Sequence, residues 1–425
     1  MHIGEVIRHY RKKQGLSQEQ LSNGIVSISY LSKIENNKIS ADDLVVDLLL
    51  QRLNLTRDSL QKFDHTFFQE QLYKLYESAI AGDTSLLNEI YHSCRSEIEK
   101  EEKLQHPENI FHFMIIKLRY YLYMEKMADC TRIVNDLKSL SINLPSRSEY
   151  ILVRTLALYH YLNQNYSRSM AFLEKAENKV TSNAVKINRK DSADLYYQLA
   201  LLNSKTMRIY KSISYAENAL KMYQSIYDME RSAECHMILG INFRKLKEFT
   251  EAEECYYSVL SICKISKNDY LEAMTLQNLG NVNSDLGNSK KAIQYYLRSL
   301  EKKKEDDERT LHSYHSLVIE YYHLNDYILT KEWAEKGLKK ALQFQNKEYE
   351  IHFTIYLHLI SDAAIFEEYI TKVGILFFQN SGRKEYVIKY TKILAMYLFS
   401  KKKYKASSEY LIKTIELSKD ASLLK

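Results

Sequence analysis

The 425-residue chain has two prolines, Pro107 and Pro145, and ten glycines. Both residues break helices, so a chain this poor in them predicts long helices joined by short turns. No apolar run approaches the ~18 residues of a membrane span, and Val373–Phe378 is among the longest. The start, Met1-His2-Ile3-Gly4-Glu5, has no apolar signal core. No membrane partner is therefore expected, and the location expected is cytoplasmic. Cysteine is scarce and odd in number: Cys94, Cys130, Cys235, Cys255 and Cys263, with no C-x-x-C pair. That excludes a disulfide framework and a zinc site from the expectations and suits a reducing cytosol. H-E-x-x-H and G-x-S-x-G are absent, and the histidines are scattered. No catalytic residue, metal or cofactor is assigned, and the chain is not read as an enzyme. The stretch Gly280 to Gly287-Asn288-Ser289-Lys290 lacks the Gly-Lys-[Ser/Thr] ending of a phosphate loop and is read as a turn.

Hydrophobic residues make up 45% and charged residues 27%, as in an ordinary folded protein, and the length calls for two or more folding units. The net charge of +6 is mild but uneven. Residues 1–40 carry Arg8, Arg11, Lys12, Lys13, Lys33 and Lys38 against Glu5, Glu19 and Glu35, which hints at a polyanionic partner.

The same segment has a readable helical pattern. Ile3, Val6, Ile7 and Tyr10 form one helical stripe, and Gly15 suits a left-handed C-terminal cap. Ser17-Gln18-Glu19-Gln20 has the form of a capping box opening a short second helix that buries Leu21 and ends at Asn23-Gly24. Ser27 caps a third helix with Leu31 and Ile34 inward, ended by Asn36-Asn37. A fourth carries Leu44, Val45, Leu48, Leu49 and Leu53; a fifth starts near Thr56 and includes Leu60 and Phe63. Helix, tight turn and polar-faced helix make a DNA-reading helix-turn-helix. The stretches Ile3-Gly4-Glu5-Val6-Ile7-Arg8, Gly15-Leu16-Ser17-Gln18-Glu19-Gln20-Leu21 and Ser29-Tyr30-Leu31-Ser32-Lys33-Ile34-Glu35 resemble the lambda-repressor-like (Cro/XRE) family over about residues 2–63.

That resemblance implies roles. Gln18 touches the DNA backbone and braces the reading helix. Ser27 opens that helix; Ile28, Ser29 and Lys33 face base edges, where Lys can donate to guanine and Ile can meet a thymine methyl. Tyr30, Asn37 and Lys38 suit the phosphate backbone. Arg11 and Glu35 match a structural pair. Ser22 stands where the family has a small alanine, and Asn37 where it has glycine; asparagine still tolerates the left-handed conformation.

From about residue 70 the pattern is helical throughout and repeats. Leu199-Ala200, Leu239-Gly240 and Leu279-Gly280 recur every 40 residues. Twelve residues on come the small Ser212, Ala252 and Ala292; sixteen on, Ala216, Tyr256 and Tyr296; twenty on, Leu220, Leu260 and Leu300. Leu156-Ala157, Leu317-Val318 and Leu394-Ala395 begin weaker copies. The spacing resembles the tetratricopeptide repeat, a helical pair of ~34 residues. The fold expected is all-α: the helix-turn-helix at 1–63, a linker helix at 64–75, and at 76–425 a right-handed superhelix of about eight or nine helical hairpins.

Taking Ala200, Gly240 and Gly280 as the eighth residue of each first helix, the repeat's concave side receives Tyr197, Gln198, Lys205, Ile238, Arg244, Lys245, Gln277, Asn278 and Asn281. Neighbouring copies add Arg154, His315 and His358, with Asn203 and Asn242 close by. Amides can pair with both C=O and N–H of an extended peptide, and Arg or Lys can hold a carboxylate. A Cro-like reader joined to such an array resembles the RNPP family of Gram-positive quorum-sensing receptors, and NprR-like members in length. The resemblance implies a cytoplasmic transcription regulator whose partners are double-stranded DNA, a short re-imported signalling peptide, and further copies of itself in a homodimer or higher oligomer. An alternative reading has the protein bind a response regulator of a sporulation phosphorelay, as Rap-like inhibitors or phosphatases do. A third is a repressor whose repeats only oligomerise it.

Overall fold

The computed structural model describes residues 3–56, 66–100, 107–139, 144–361 and 363–423. Among them there is no strand, and the chain divides into two compact units, Met1–Leu202 and Asn203–Lys425. The fold is all-α, a helix-turn-helix followed by tetratricopeptide-like helical repeats.

Four helices begin the first unit: α1 (Ile3–Lys13), α2 (Gln18–Ser22), α3 (Ile28–Glu35) and α4 (Asp43–Arg52). The expected stripe of α1 is buried at Val6, Ile7 and Tyr10, against Leu21, Leu31 and Ile34. Gly15 and Gly24 take positive φ where the sequence asks for it, and Asn37 does so at φ 55°. In α4 the buried residues are Val46, Leu49 and Leu50, with Leu53 just beyond, while Leu44 and Leu48 are exposed. The run Leu44-Val45-Val46-Asp47-Leu48-Leu49-Leu50 is apolar nearly all round, so periodicity alone does not choose the inward side. The fifth helix near Thr56, with Leu60 and Phe63, falls on 57–65, outside the described residues, as does the boundary at 63.

The helix expected at 64–75 is described from Phe67 and runs on to Ala81. Phe68, Leu72, Leu75, Tyr76 and Ile80 keep one stripe buried past residue 75, and Gly82, at φ 77°, ends it. It pairs with Thr84–Lys100 and opens the array. The pairs Pro107–Tyr123 with Met127–Ser139 and Ser146–Leu162 with Tyr166–Thr181 follow. Arg189–Lys205 and Ile209–Ser225 come next in the chain. The second unit continues with Met229–Leu246 and Phe249–Ser266, Asp269–Asp285 and Ser289–Glu301, Thr310–His323 and Tyr327–Gln343. Lys347–Ser361 precedes Ala363–Tyr369, which passes through a π turn at Ile370–Gly374 into Ile375–Asn380; Lys384–Ser400 and Tyr404–Leu423 close the array. Among the described residues eight pairs of these successive helices pack together, within the expected eight or nine.

Two local devices build each pair. Turns reverse at a residue with positive φ, and in this glycine-poor chain many are not glycine: Glu125, Gln164, Lys247, Asn325 and Lys402. Small side chains then let the two helices close. Ser169 Oγ donates to Ala157 O and Ser407 Oγ to Ala395 O, each at 2.8 Å, both across the twelve-residue offset seen in the sequence. Gly240 and Gly280 lie under the rings of Tyr256 and Tyr296, sixteen residues on. A Cβ on Gly240 would come 2.6 Å from Tyr256 Cε1, and one on Gly280 2.3 Å from Tyr296 Cε1. Gly280→Ala is therefore expected to overpack its hairpin and cost ~1–3 kcal/mol, seen as a lower urea midpoint by circular dichroism. An unchanged midpoint would mean that the ring moves aside freely.

Candidate nucleic-acid interface and ligand groove

The reader is organised by one carboxylate. Glu35, at the end of α3, is 2% exposed. It accepts from Arg11 Nε at 2.6 Å, from Arg11 Nη2 at 2.9 Å and from Gln18 Nε2 at 2.8 Å. Arg11 also donates to Leu16 O, at 2.8 Å, so α1, the turn after it and the first residue of α2 are tied to the reading helix. The Ser17–Gln20 capping box is complete, and Ser27 Oγ accepts from Tyr30 N at 3.2 Å. α1 also crosses the carboxyl end of α3 at Gly4, where a Cβ would stand 1.9 Å from Ile34 O. Asn37 Nδ2 donates to Glu5 Oε1 at 2.9 Å, which anchors the turn after α3. Ser22 is buried, its Oγ donating to Glu19 O at 3.3 Å, so the hydroxyl that replaces a methyl there is satisfied.

These contacts leave an edge of α3 open. Ser27, Ile28, Ser29 and Lys33 are exposed, Tyr30 is half-buried, and Lys38 is exposed just beyond the helix. Ile28, 48% exposed, is an apolar side chain held out toward solvent at the start of a helix. Gln18 is half-buried at the near end of α2.

The expected groove residues are placed unevenly. In the first unit, Arg154 is wholly buried: Nη1 meets Tyr150 Oη at 2.7 Å and Asp191 Oδ1 at 3.2 Å, and Nη2 meets Asp194 Oδ2. Tyr76 Oη and Tyr150 Oη also donate to Asp191 Oδ1, at 2.8 and 2.9 Å, and Arg119 lies 4.7 Å over the Tyr76 ring. Arg154 thus ties its own hairpin to the helix of Asp191 and Asp194, and Asp191 carries the link on to Tyr76. Gln198 Nε2 joins the edge of this network at Asp194 Oδ2, 3.0 Å, and Tyr197 is half-buried. In the second unit, Asn203 and Asn242 are buried. Asn242 bridges Ser204 Oγ at 2.8 Å and Ser212 Oγ at 2.7 Å. Arg244 Nε pairs with Asp285 Oδ2 at 2.6 Å, and Lys245 Nζ donates to Ser204 O at 2.8 Å beside a cavity of about 530 Å³. Asn281 Oδ1 accepts from Tyr296 Oη at 3.0 Å.

Gln277 and Asn278 meet in a second cavity, of about 420 Å³, with Tyr270, Met274, Lys303, Glu308, Arg309, His312, Asn346 and Tyr349. Gln277 accepts from Ser313 Oγ at 2.5 Å and donates to Ser316 Oγ at 3.1 Å; Asn278 is half-buried. The mixture of amides, aromatic rings and cations suits an extended polar chain. Deeper in, His315 is buried and stacks on His352 with centroids 4.3 Å apart, and His352 Nδ1 meets Tyr390 Oη. Burial pushes His315 well below the usual imidazole value and brings His352 down to about 4. Among the described residues no group of three or more His, Cys, Asp or Glu is placed to hold a metal. No described helix is long and apolar enough to cross a membrane.

Residues 7–60 match the helix-turn-helix family and residues 232–305 the tetratricopeptide repeat family. The chain is 30% identical over 403 residues to the transcriptional activator NprA of Geobacillus stearothermophilus, covering 92% of this chain and 97% of that one. It belongs to the NprA/NprR-like RNPP family. RNPP folds agree with it. The apo quorum sensor NprR from B. thuringiensis superposes with a TM-score of 0.72, at 19% identity over 82% of this chain and 98% of NprR. NprR in complex with its cognate peptide NprX superposes at 0.60, with 18% identity over 83% and 99%. The regulatory protein RapK of Bacillus subtilis is 24% identical over 62% of this chain and 73% of its own.

Several residues of both regions carry no sequence signal of their role. Gly4 is one, although a glycine inside a helix of a glycine-poor chain hints at a close backbone approach. Lys303, Arg309 and Asn346 lie between periodic segments, where no repeat offset points to them. Two outcomes follow from the geometry. Glu35→Ala strands the buried Arg11 guanidinium and is expected to cost ~3–5 kcal/mol, read as early loss of the reader's protection in hydrogen exchange. At His352 the unfolded chain takes up a proton near pH 6.5 while the folded chain resists until about 4. Stability of the second unit therefore falls as pH drops through that window, by at most ~1.4 kcal/mol per unit for one histidine. The fall is expected to be shallower in His352→Phe.

Proposed function

We propose that the protein is a peptide-responsive transcription regulator that binds double-stranded DNA through α3 and a short signalling peptide in the repeat array. The observation that carries this reading is the open edge of α3, free of the contacts that brace its other side, in a chain homologous to a transcriptional activator. In this reading Ile28, Ser29 and Lys33 meet base edges. Gln18, Ser27, Tyr30, Asn37 and Lys38 serve the backbone and fix register. The domains are the reader at 1–63, a linker at 64–75 whose helix is described from Phe67, and the repeat array at 76–425 as sensor and oligomerisation domain. Gln277, Asn278, Asn281, Arg244 and Lys245 are the ligand-facing members of the array, Asn242 ties its helix to Ser204 and Ser212, and Arg154 does the same within the first unit through Asp191 and Asp194.

One small reader holds DNA weakly, so two copies on adjacent half-sites supply useful affinity. A peptide shifts that pairing only if it binds one arrangement more tightly than the other, typically by ~1–3 kcal/mol. The cytoplasm is the compartment that brings DNA and a re-imported peptide together. We assign the protein no reaction.

The test is binding of the full chain to operator DNA selected from a random pool. Lys33→Ala with Ser29→Ala is expected to relax sequence preference and cost ~1–3 kcal/mol per lost base contact. Lys38→Ala is expected to weaken all sequences alike and reduce the salt slope by ~1. Failure to select any sequence, or selection unaltered in the double variant, would remove α3 as the reader.

A further inference from the structure

The turn that leads into Ile209–Ser225 is rich in cations and has no acid. From Asn203 to Lys211 the chain carries Lys205, Arg208 and Lys211 and neither Asp nor Glu. Arg208 and Lys211 line the cavity of about 530 Å³ together with Lys245, and Met207, Tyr210 and Leu246 give it apolar surface. No carboxylate is found among its described lining residues. The cavity of about 420 Å³ is different, because there Glu308 stands with Lys303 and Arg309.

The three cations are held in place but not matched. Met207 turns the chain at φ 61°, Arg208 N donates to Asn203 O at 2.9 Å, and Ser212 N donates to Arg208 O at 3.0 Å, so the backbone beneath the Arg208 side chain is fixed. Lys245 Nζ donates to Ser204 O at 2.8 Å and to Ser204 Oγ at 3.2 Å, both neutral acceptors. Partial burial, with Lys205 beside it, lowers Lys245 below the usual lysine range. Arg244, next along the helix, is matched by Asp285 at 2.6 Å, whereas Arg208, Lys211 and Lys245 form no ion pair among the described residues. Like charges around one space repel each other, and an anion placed between them removes that cost.

Three cations suit a dianion better than a single carboxylate. A phosphate monoester carries a charge of about −1.5 to −2 and three acceptor oxygens. The planar guanidinium of Arg208 can hold two of those oxygens at once, with Lys211 and Lys245 as point charges beside it. Tyr210, 76% exposed, and the exposed Met207 offer cover to whatever body the phosphate carries. The volume lies within the ~300–1,000 Å³ of small-molecule sites.

We propose that the cavity lined by Arg208, Lys211 and Lys245 binds a small phosphate monoester, at a site separate from the cavity of Gln277 and Asn278. The inference goes beyond the peptide-responsive reading and does not depend on it: the repeat offsets point to neither Arg208 nor Lys211, and the two cavities share no lining residue.

The experiment is calorimetric titration of the full chain at fixed ionic strength. The probes are inorganic phosphate, ribose 5-phosphate, the four nucleoside 5′-monophosphates and the corresponding nucleosides without phosphate. At least one monoester is expected to bind about tenfold tighter than its phosphate-free form. Ribose 5-phosphate matching the nucleotides identifies a sugar phosphate; a gain from the base identifies a nucleotide, and that gain should fall in Tyr210→Ala. The preference for phosphate should vanish in the double variant Arg208→Gln with Lys211→Gln, whose melting curve reports folding, and should survive in part in Arg208→Lys. Absence of binding by every phosphate-bearing probe, nucleosides that bind as tightly as their monophosphates, or a preference untouched in the double variant would overturn the site.

Discussion

Close approach of helix backbones is the constraint on which this molecule depends. A ring or a second backbone can come this close to a helix only where that helix presents almost no side chain, and the repeat array places glycine, alanine or serine at those points. Gly240 and Gly280 receive the rings of Tyr256 and Tyr296, and Gly337 receives Phe353 from the following pair. The aromatic ring and the missing side chain form one unit, since the ring fills the volume that a methyl group would deny it. The same logic recurs in the reader, where Gly4 lets α1 rest on the carbonyl of Ile34.

Once backbones are this close, polar groups trapped between them need partners, and their networks decide which face of each helix is left for function. Glu35 gathers Arg11 and Gln18 on the inner side of the reader, so the opposite edge of α3 has no internal role. Asp191 and Asp194 do the same for Arg154 in the first hairpins. Such buried pairs contribute little net stability against an apolar core, but they specify register, because losing one partner leaves the other charged and dry.

Much of this was legible in the residues themselves. The caps at Ser17 and Ser27, the positive φ at Gly15, Gly24 and Asn37, and the offsets of twelve and sixteen within a hairpin each follow from local rules, and each is found. The repeat offsets also located Gln277 and Asn278 at a cavity. They were less informative about Arg154 and Asn242, because an offset tells which way a side chain leaves the helix but not what the next hairpin brings against it. The buried side of α4 was ambiguous for a related reason, since Leu44 and Leu48 are as apolar as Leu49 and Leu50.

The sequence by itself determined the all-α class, the two kinds of domain and the candidate reading helix. Those depend on the spacing of apolar and capping residues along one chain segment, which is a local property. Only the tertiary structure decided that Arg154 is locked among carboxylates and that His315 stacks on His352. Charge matching is a sum over groups tens of residues apart, and that sum exists only once the hairpins have stacked.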